Sequence, residues 1–394
     1  MPPAAGPPRI LAIDAYRGLV MFLMMAEVLH IGNVAKKFSP NEYWQLAAHH
    51  TNHVEWTGCS LHDLIQPSFS FLVGVALPFS LTARQGRGQS FPRMLLHALV
   101  RAAILIALGV FLRSVGRERT YFTFEDTLTQ IGLGYVFLFL LGFAPRLWQW
   151  IALAAVLVGY WAAFALYPAP GLDFNYAAVG VRANWSEHFT GFAAHWNKNS
   201  NLAWRFDKWF LNLFPRDKPF AYNGGGYATL SFIPTLGTMI LGLIAGGLLK
   251  ERPPLSRLML QLVGVGAACL AAGYALHSLG VCPSVKRIWT PSWTLFSGGW
   301  CFLILAGFYL LTDAPQWSAW SFPLRVIGAN SIAIYCLAHL IDGFILKSIT
   351  THLGPSIFKT FGSTWEPLVA GGCVLLIFWL ILLWMYVKKI FIRI

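Results

Sequence analysis

Long apolar runs separated by short polar segments recur along the whole chain. Most runs fall near the roughly 17–25 residues that a helix needs to cross the hydrocarbon core of a bilayer. This pattern predicts an all-α polytopic membrane protein, a bundle of about ten transmembrane helices with two long outer loops. The predicted spans are 10–30, 64–83, 94–113, 127–144, 148–167, 229–249, 257–278, 292–312, 323–345 and 367–388.

Composition supports this fold class and argues against others. The 394 residues are 56% hydrophobic and only 11% charged, whereas soluble domains carry about 25% charged residues. The net charge of +13 does not indicate nucleic-acid binding, because the basic residues lie in short loops where they meet anionic lipid. The six cysteines show no CxxC or metal-ligand spacing. We expect one membrane domain over 1–394, with the lipid bilayer as a partner and no nucleic acid.

Basic residues in the loops predict which side of the membrane each loop faces. An even number of spans places both termini on one side, which the basic segments 84–93, 250–257 and 388–389 make cytoplasmic. The residues before the first span lack the basic region of a signal peptide, so we expect this span to be retained. We expect a bacterial inner-membrane protein whose outer loops, about 31–63 and 168–228, are long enough to be functional.

A polar segment from His53 to Asp63 leads directly into the second apolar run. An imidazole can accept a proton from an attacking amine or hydroxyl near neutral pH. A carboxylate at the start of a helix can orient that imidazole, or simply cap the helix. We expect a catalytic pair, with an ordinary loop histidine and a helix cap as the alternatives. His49, His50 and His62 are nearby, but their spacing is not typical of a zinc site, and we expect no metal.

Other ionisable residues lie inside the first predicted span. Intramembrane charges are usually paired and functional. Asp14 and Arg17 are at positions i and i+3, on one helix face, and we expect a structural ion pair. Glu27 and His30 approach the outer end of the same span, where we expect them to face the same cavity as His53.

The second outer loop is rich in tryptophan and asparagine and ends in the glycine run Asn223-Gly-Gly-Gly226. Its aromatic side chains can stack on sugar rings or anchor the protein at the membrane interface. A glycine run lets the backbone approach a ligand closely, although such runs are also flexible hinges. Both interpretations stay open from the sequence.

Three motifs follow one another along the first two spans: Asp14-x-Tyr16-Arg17-Gly18, His53-x-x-Trp56-x-Gly58 and Asp63-Leu64-x-x-Pro67-x-Phe69-x-Phe71-x-x-Gly74. Together they resemble the heparan-α-glucosaminide N-acetyltransferase family of transmembrane acyltransferases, which has Phe in place of Tyr16. The resemblance is specific over roughly residues 9 to 81 and weaker around 130–132 and 328–335. It does not extend to the second outer loop.

The resemblance implies acetyl transfer across a membrane, from cytoplasmic acetyl-CoA to an acceptor on the far side. His53 falls on the family's catalytic histidine, and Asp63 on its neighbouring acid. We therefore expect an acyl-CoA-dependent N- or O-acyltransferase that acylates an amine or hydroxyl of an extracytoplasmic sugar or glycan, with His53 as general base. The expected acceptor-side residues are Glu27, His30, Trp56, Asp126, Gln130 and Asn330.

Two positions depart from the family's usual pattern. Glu27 stands where the family often has Asn, and Thr129-Gln130 stands where it often has Gln-Arg. Both changes concern the acceptor more than the type of reaction. On the cytoplasmic side, Arg84, Arg87 and Arg93 are expected to meet the phosphates of CoA.

The alternative function is a transporter or flippase for a small polar or lipid-linked substrate. The intramembrane Asp14, Arg17 and Glu27 favour it. Against it, the sequence shows no clear internal repeat and no paired broken helices, features of many transporters. A third alternative is an inactive scaffold with the shell of an enzyme. No motif fixes the oligomeric state, for which a homodimer is one option.

Overall fold

The computed structural model describes residues 10–315 and 318–392. Within those ranges, α-helices joined by 3₁₀ turns and loops account for the fold, and Thr57 and Val285 form an isolated antiparallel β-bridge. The helices are α1 (Leu11–Met25), α2 (Ile31–Lys37), α3 (Glu42–His50), α4 (Ile65–Gln85), α5 (Phe91–Ser114), α6 (Thr127–Leu141), α7 (Arg146–Leu166), α8 (Leu202–Phe210), α9 (Phe232–Glu251), α10 (Leu255–Ser278), α11 (Pro291–Thr312), α12 (Phe322–Ala329), α13 (Ser331–Leu340), α14 (Asp342–Leu353) and α15 (Glu366–Val387).

Seven helices of the described ranges are long and apolar enough to cross a membrane. They are α4 and α9, each with the 3₁₀ turn before it, together with α5, α7, α10, α11 and α15. Two bent helix pairs raise the number of candidate spans to nine if each pair is counted as one span. The prediction of an all-α polytopic membrane protein is therefore confirmed.

Each of the ten predicted spans coincides with helical structure, but three of them differ from one straight transmembrane helix. α6 has 15 residues, fewer than the roughly 20 that span a bilayer. The first predicted span consists of α1 and the 3₁₀ turn Ala26–Leu29 and ends at a bend of 47° at His30, whose φ of 46° is left-handed. The ninth bends by 66° at Asn330, so the expectation that broken helices are absent was wrong. Hydropathy missed these bends because it reports composition rather than backbone dihedral angles.

The two predicted outer loops also contain helices. α2 and α3 lie in the first loop, and α8 lies in the second. These helices have 7 to 9 residues. They are too short to register as membrane spans, so the sequence pattern assigned their residues to loops.

The chain divides into two compact units. Unit 1 contains the residues up to Val54, Cys59–Ile65 and the residues from Gly307 onward, and unit 2 contains Glu55–Gly58 and Gln66–Ala306. The single functional domain over 1–394 stays a prediction.

Unit 1 depends on a close contact between α1 and α12. A Cβ atom on Gly18 would lie 1.8 Å from the carbonyl oxygen of Leu324. A Cβ atom on Gly328 would lie 2.1 Å from the carbonyl oxygen of Asp14. Any side chain at either position would push the helices apart, so glycine permits the backbone-to-backbone packing that small residues give in membranes.

Unit 2 has a similar contact between α4 and α9. A Cβ atom on Gly74 would lie 2.0 Å from the carbonyl oxygen of Met239, and one on Gly242 would lie 1.9 Å from that of Phe71. α9 is correspondingly buried along most of its length. The family-like motif that ends at Gly74 thus includes a residue needed for helix packing.

A buried carboxylate ties α8 to the 3₁₀ turn before α9. The backbone N–H of Thr229 donates a hydrogen bond of 3.0 Å to Oδ2 of Asp207, which is 2% exposed. Burial raises the pKa of Asp207 from 3.8 to about 7. The folded state therefore holds this proton more tightly than the unfolded chain. The resulting stabilisation is complete below about pH 4 and is lost as the pH rises through about 7.

We expect the Asp207→Asn variant to lose this contribution to the pH dependence of stability. The Tm of the wild-type protein in detergent should fall more steeply between about pH 4 and pH 7 than the Tm of the variant. Thermal unfolding across this pH range measures the difference, with the exposed Asp173→Asn as the matched control. Parallel curves for wild type and Asp207→Asn would contradict the raised pKa.

Candidate active site

The two predicted catalytic residues, His53 and Asp63, lie on two short segments of unit 1 that are in contact. His53 follows the end of α3 by three residues, and Asp63 lies in the 3₁₀ turn His62–Leu64 that leads into α4. The hydroxyl of Ser60 donates a 2.7 Å hydrogen bond to the carbonyl oxygen of Asn52. This bond joins the two pieces and brings the imidazole to the carboxylate.

His53 and Asp63 are in hydrogen-bond contact. Nδ1 of His53 lies 2.8 Å from Oδ1 of Asp63. The Asp63 side chain is completely buried, whereas 37% of the His53 side chain is exposed. An ionised carboxylate only accepts hydrogen bonds, so Nδ1 of a neutral His53 carries the proton and the basic lone pair lies on Nε2. The structure thus joins the two residues that the sequence singled out.

Backbone and hydroxyl donors surround the other oxygen of Asp63. Oδ2 accepts hydrogen bonds from the Ser60 N–H at 3.0 Å and the Val54 N–H at 3.3 Å, and the Ser60 hydroxyl, 2.9 Å away, shares its single proton between Oδ2 and the Asn52 carbonyl oxygen. A buried carboxylate is costly unless it is hydrogen-bonded. These donors offset the cost of burying Asp63 and fix the plane of its carboxylate, which in turn fixes the imidazole ring.

A second imidazole and carboxylate lie beside the first pair. Nε2 of His62 is 3.0 Å from Oε1 of Glu27, and the ring centroids of His53 and His62 are 4.4 Å apart. His62 is nearly buried, but 56% of the Glu27 side chain is exposed. The sequence had suggested His62 only as a metal ligand. Its position directly before Asp63 is the one sequence signal that could have linked it to this site.

These side chains line a cavity of about 430 Å³, a volume typical of small-molecule sites. The break in the first span forms part of its wall, because His30 and its neighbours leave the helical path there. Irregular backbone at membrane depth is tolerated where it lines a cavity. The lining residues are Leu23, Ala26, Glu27, His30, Ile31, Gly32, Asn33, Ala47, His50, Thr51, Asn52, His53, Leu61 and His62.

Two of the predicted acceptor-side residues in unit 2 have well-defined packing roles. Trp56 is completely buried in an aromatic core that includes Phe164 and Trp196. Gln130 donates from Nε2 to the carbonyl oxygen of Phe124 at 2.7 Å. The motif located Trp56 in the sequence but did not show that its ring points into a core.

A third residue of that group, Asp126, caps α6. Its Oδ1 accepts hydrogen bonds from the backbone N–H groups of Leu128 and Thr129, at 3.0 and 3.1 Å. This is the behaviour of an N-cap aspartate. A helix cap therefore accounts for its burial at the start of the helix.

Asn330 and the predicted ion pair lie elsewhere in unit 1. Asn330 is buried and bridges the end of the chain, donating to the carbonyl oxygen of Ile390 and accepting from the N–H of Ile392, both at 3.0 Å. Asp14 and Arg17 approach to 3.6 Å on α1. These contacts give all three residues a structural role.

The basic residues predicted to meet CoA lie at the turn between α4 and α5 in unit 2. Arg84 contacts Oε1 of Gln89 at 3.2 Å and Nε2 of His97 at 2.8 Å, and Arg87 and Arg93 are exposed.

Across residues 10–315 and 318–392, three or more His, Cys, Asp or Glu side chains nowhere converge in an arrangement that could hold a metal ion.

Comparison with known proteins agrees with the motifs. The chain is 23% identical over 374 residues to human heparan-alpha-glucosaminide N-acetyltransferase, covering 84% of this chain and 53% of the human protein. It is 22% identical over 375 residues to the mouse protein of the same name, covering 85% and 54%. The chain is related to these proteins at the level of the family. No family model matches it, and it spans about half the length of these curated relatives.

Ser60→Ala tests how strongly the site depends on the donors to Asp63. The variant loses the hydroxyl that joins Asp63 to the Asn52 carbonyl, so we expect a loss of about 1–3 kcal/mol in the free energy of unfolding. Thermal or denaturant unfolding in detergent measures it. The exposed Ser186→Ala serves as the control, and equal stability of the two variants would show that the Ser60 hydroxyl is dispensable.

Proposed function

We propose that this protein is a transmembrane acetyltransferase. It transfers an acetyl group from cytoplasmic acetyl-CoA to an amine or hydroxyl of an extracytoplasmic sugar or glycan, with His53 as the general base. The observation that carries the proposal is the Asp63-held imidazole of His53 on the wall of the 430 Å³ cavity. The family relationship supports the reaction class.

The proposed reaction needs a base that takes the proton lost by the attacking amine or hydroxyl. Nε2 of His53 takes the proton as the amine or hydroxyl attacks the thioester carbonyl carbon. The C–S bond then breaks, and the imidazolium returns the proton to the departing thiolate. Asp63 stays ionised and stabilises the imidazolium through Nδ1, as the acid of a catalytic triad does. The products are the acetylated sugar and CoA with a free thiol.

Glu27 and His62 occupy the acceptor side in this proposal. The Glu27 carboxylate is half-exposed on the cavity wall, and His62 holds it in place from a nearly buried position. A carboxylate at this position favours an acceptor that carries a positive charge, such as a protonated amino sugar, which releases one proton to solvent to become the neutral amine that attacks. His30 lies on the same wall, at the break of the first span.

The proposed CoA-binding residues are assigned because their positive charge matches the phosphates of CoA. Arg87 and Arg93 are exposed at the turn between α4 and α5, where guanidinium groups suit the phosphates of CoA. Arg84 contributes to the same basic surface while bonded to Gln89. In this proposal both chain termini and this turn face the cytoplasm, and His53 faces the opposite side.

Loss of the base should abolish most of the turnover. We expect His53→Ala to lower kcat for acetyl transfer by about 10²–10⁴, the usual contribution of general acid–base catalysis. Asp63→Asn should cause a loss of similar order, because an amide can hold the opposite imidazole tautomer. The assay follows radiolabelled acetyl-CoA and a panel of sugar acceptors in membrane vesicles.

His49→Ala is the matched control, since His49 is an exposed histidine at the end of α3, outside the cavity wall. It should retain wild-type turnover. Undiminished acetyl transfer by a well-folded His53→Ala protein would refute the proposed mechanism.

Glu27→Gln tests the acceptor side. The amide keeps the size of the side chain and removes its charge, so kcat/KM for glucosamine should fall roughly 10-fold relative to that for a neutral sugar. The KM for acetyl-CoA should not change. If the ratio of kcat/KM values for the two sugars stays constant, Glu27 does not select the acceptor.

A transporter or flippase is the second candidate, and the bent helix pairs favour it. Broken helices line the substrate sites of many transporters, and here Leu11–Leu29 and Ala319–Ala329 each end at a bend. Uptake of sugar into proteoliposomes without acetyl-CoA would support this candidate. Acetyl transfer that requires His53, without such uptake, would exclude it.

A further inference from the structure

Unit 2 contains a separate polar cavity of about 410 Å³. Segments of the second outer loop line it, together with Glu55 and Arg287. Its charged lining consists of Arg182, Lys198 and Arg287, opposed by the one carboxylate of Glu55. The cavity wall therefore has an excess of positive charge.

Aromatic rings hold two of these cations in place. The ammonium nitrogen of Lys198 lies 5.3 Å from the ring centroid of Trp185, and the guanidinium carbon of Arg287 lies 4.7 Å from that of Tyr227. Cation–π contacts of this length are attractive. Trp185 also donates from Nε1 to the Glu55 carboxylate at 2.8 Å. The charged groups are thus positioned by packing rather than left on mobile side chains.

The glycine run noted in the sequence makes room for the same two cations. A Cβ atom on Gly225 would lie 2.8 Å from a guanidinium nitrogen of Arg287. A Cβ atom on Gly226, whose φ is 78°, would lie 2.6 Å from the Trp56 ring and 3.0 Å from Cγ of Lys198. The run is therefore packed against the cavity wall, which favours the ligand-approach interpretation over a flexible hinge.

Two neighbouring cations in a partly enclosed cavity repel each other. Burial, and then the nearby charge of Arg287, lower the pKa of Lys198 below its usual range, while Glu55 acts in the opposite direction. An anion between the two cations would offset this repulsion, and an arginine offers the paired donors that carboxylates and phosphates accept.

We propose that this cavity binds the oxyanion of a small ligand, a carboxylate or phosphate group, between Lys198 and Arg287. The volume suits a ligand of sugar size. The oxyanion belongs either to a soluble sugar acid or sugar phosphate or to a lipid headgroup. The proposal concerns binding alone and does not depend on acetyl transfer.

Titration calorimetry of the full-length protein in neutral detergent, without acetyl-CoA, tests it. The probes are inorganic phosphate, glucose 6-phosphate, glucuronate and uncharged glucose. We expect saturable binding of the anions and none of glucose, with an affinity roughly 10-fold lower in Lys198→Gln. Lys208→Gln is the matched control, because Lys208 also lies over a tryptophan ring, that of Trp204 at 5.4 Å, but outside this cavity.

The Glu55→Gln variant distinguishes an anion-binding site from a cluster of charged residues that only supports packing. Removal of the competing carboxylate should strengthen anion binding severalfold. If phosphatidylglycerol in nanodiscs competes with glucose 6-phosphate for binding and phosphatidylcholine does not, the proposal is supported with a lipid as the source of the oxyanion. Lack of competition would support it with a soluble source.

The proposal is overturned if the wild-type protein binds none of the anions. It is also overturned if Lys198→Gln and Arg182→Gln both bind them as tightly as wild type. Arg182 is exposed, so its variant stays informative even where a change at Lys198 or Arg287 disturbs packing. Because the experiment requires neither acetyl-CoA nor turnover, its failure is distinguishable from failure of the proposed acetyltransferase activity.

Discussion

The hydrogen bonding of one buried carboxylate organises the candidate site. Asp63 has no exposed surface, so each of its oxygens needs donors from the protein itself. The Val54 and Ser60 N–H groups and the Ser60 hydroxyl satisfy one oxygen, and His53 contacts the other. Meeting this requirement fixes the path of the chain between α3 and α4. The position of the His53 imidazole therefore follows from the hydrogen bonds that the buried Asp63 carboxylate requires.

Another part of the cavity wall depends on an interrupted membrane helix. α1 ends at Met25, and a left-handed residue at His30 redirects the chain into α2. Glu27 lies in the 3₁₀ turn Ala26–Leu29, just before this bend. Glu27 and His30 line the same cavity as His53, and beyond the bend Ile31, Gly32 and Asn33 continue its wall. The site thus combines a rigid hydrogen-bonded half with a half made from irregular backbone.

The sequence predicted those features that depend on local pattern. Hydropathy located the long helices because a helix needs about 20 mostly apolar residues to cross a membrane, and the motif around His53 and Asp63 identified two residues that the fold brings together. The pairing of His62 with Glu27 joins distant segments, and no spacing rule encodes it. Likewise, the motif could not show that Trp56 points into the aromatic core of unit 2.

The glycine contact between α1 and α12 has a consequence for how the site tolerates change. Gly18 and Gly328 allow the two helices to pack closely. Each bent span changes direction beyond this contact, at His30 and Asn330. Each bent span therefore consists of an anchored stem and a separate tip. Ile31, Gly32 and Asn33 lie in the tip of the first span and line the cavity that holds His53. Substitutions in this tip can therefore reshape the cavity wall while α1 stays packed against α12.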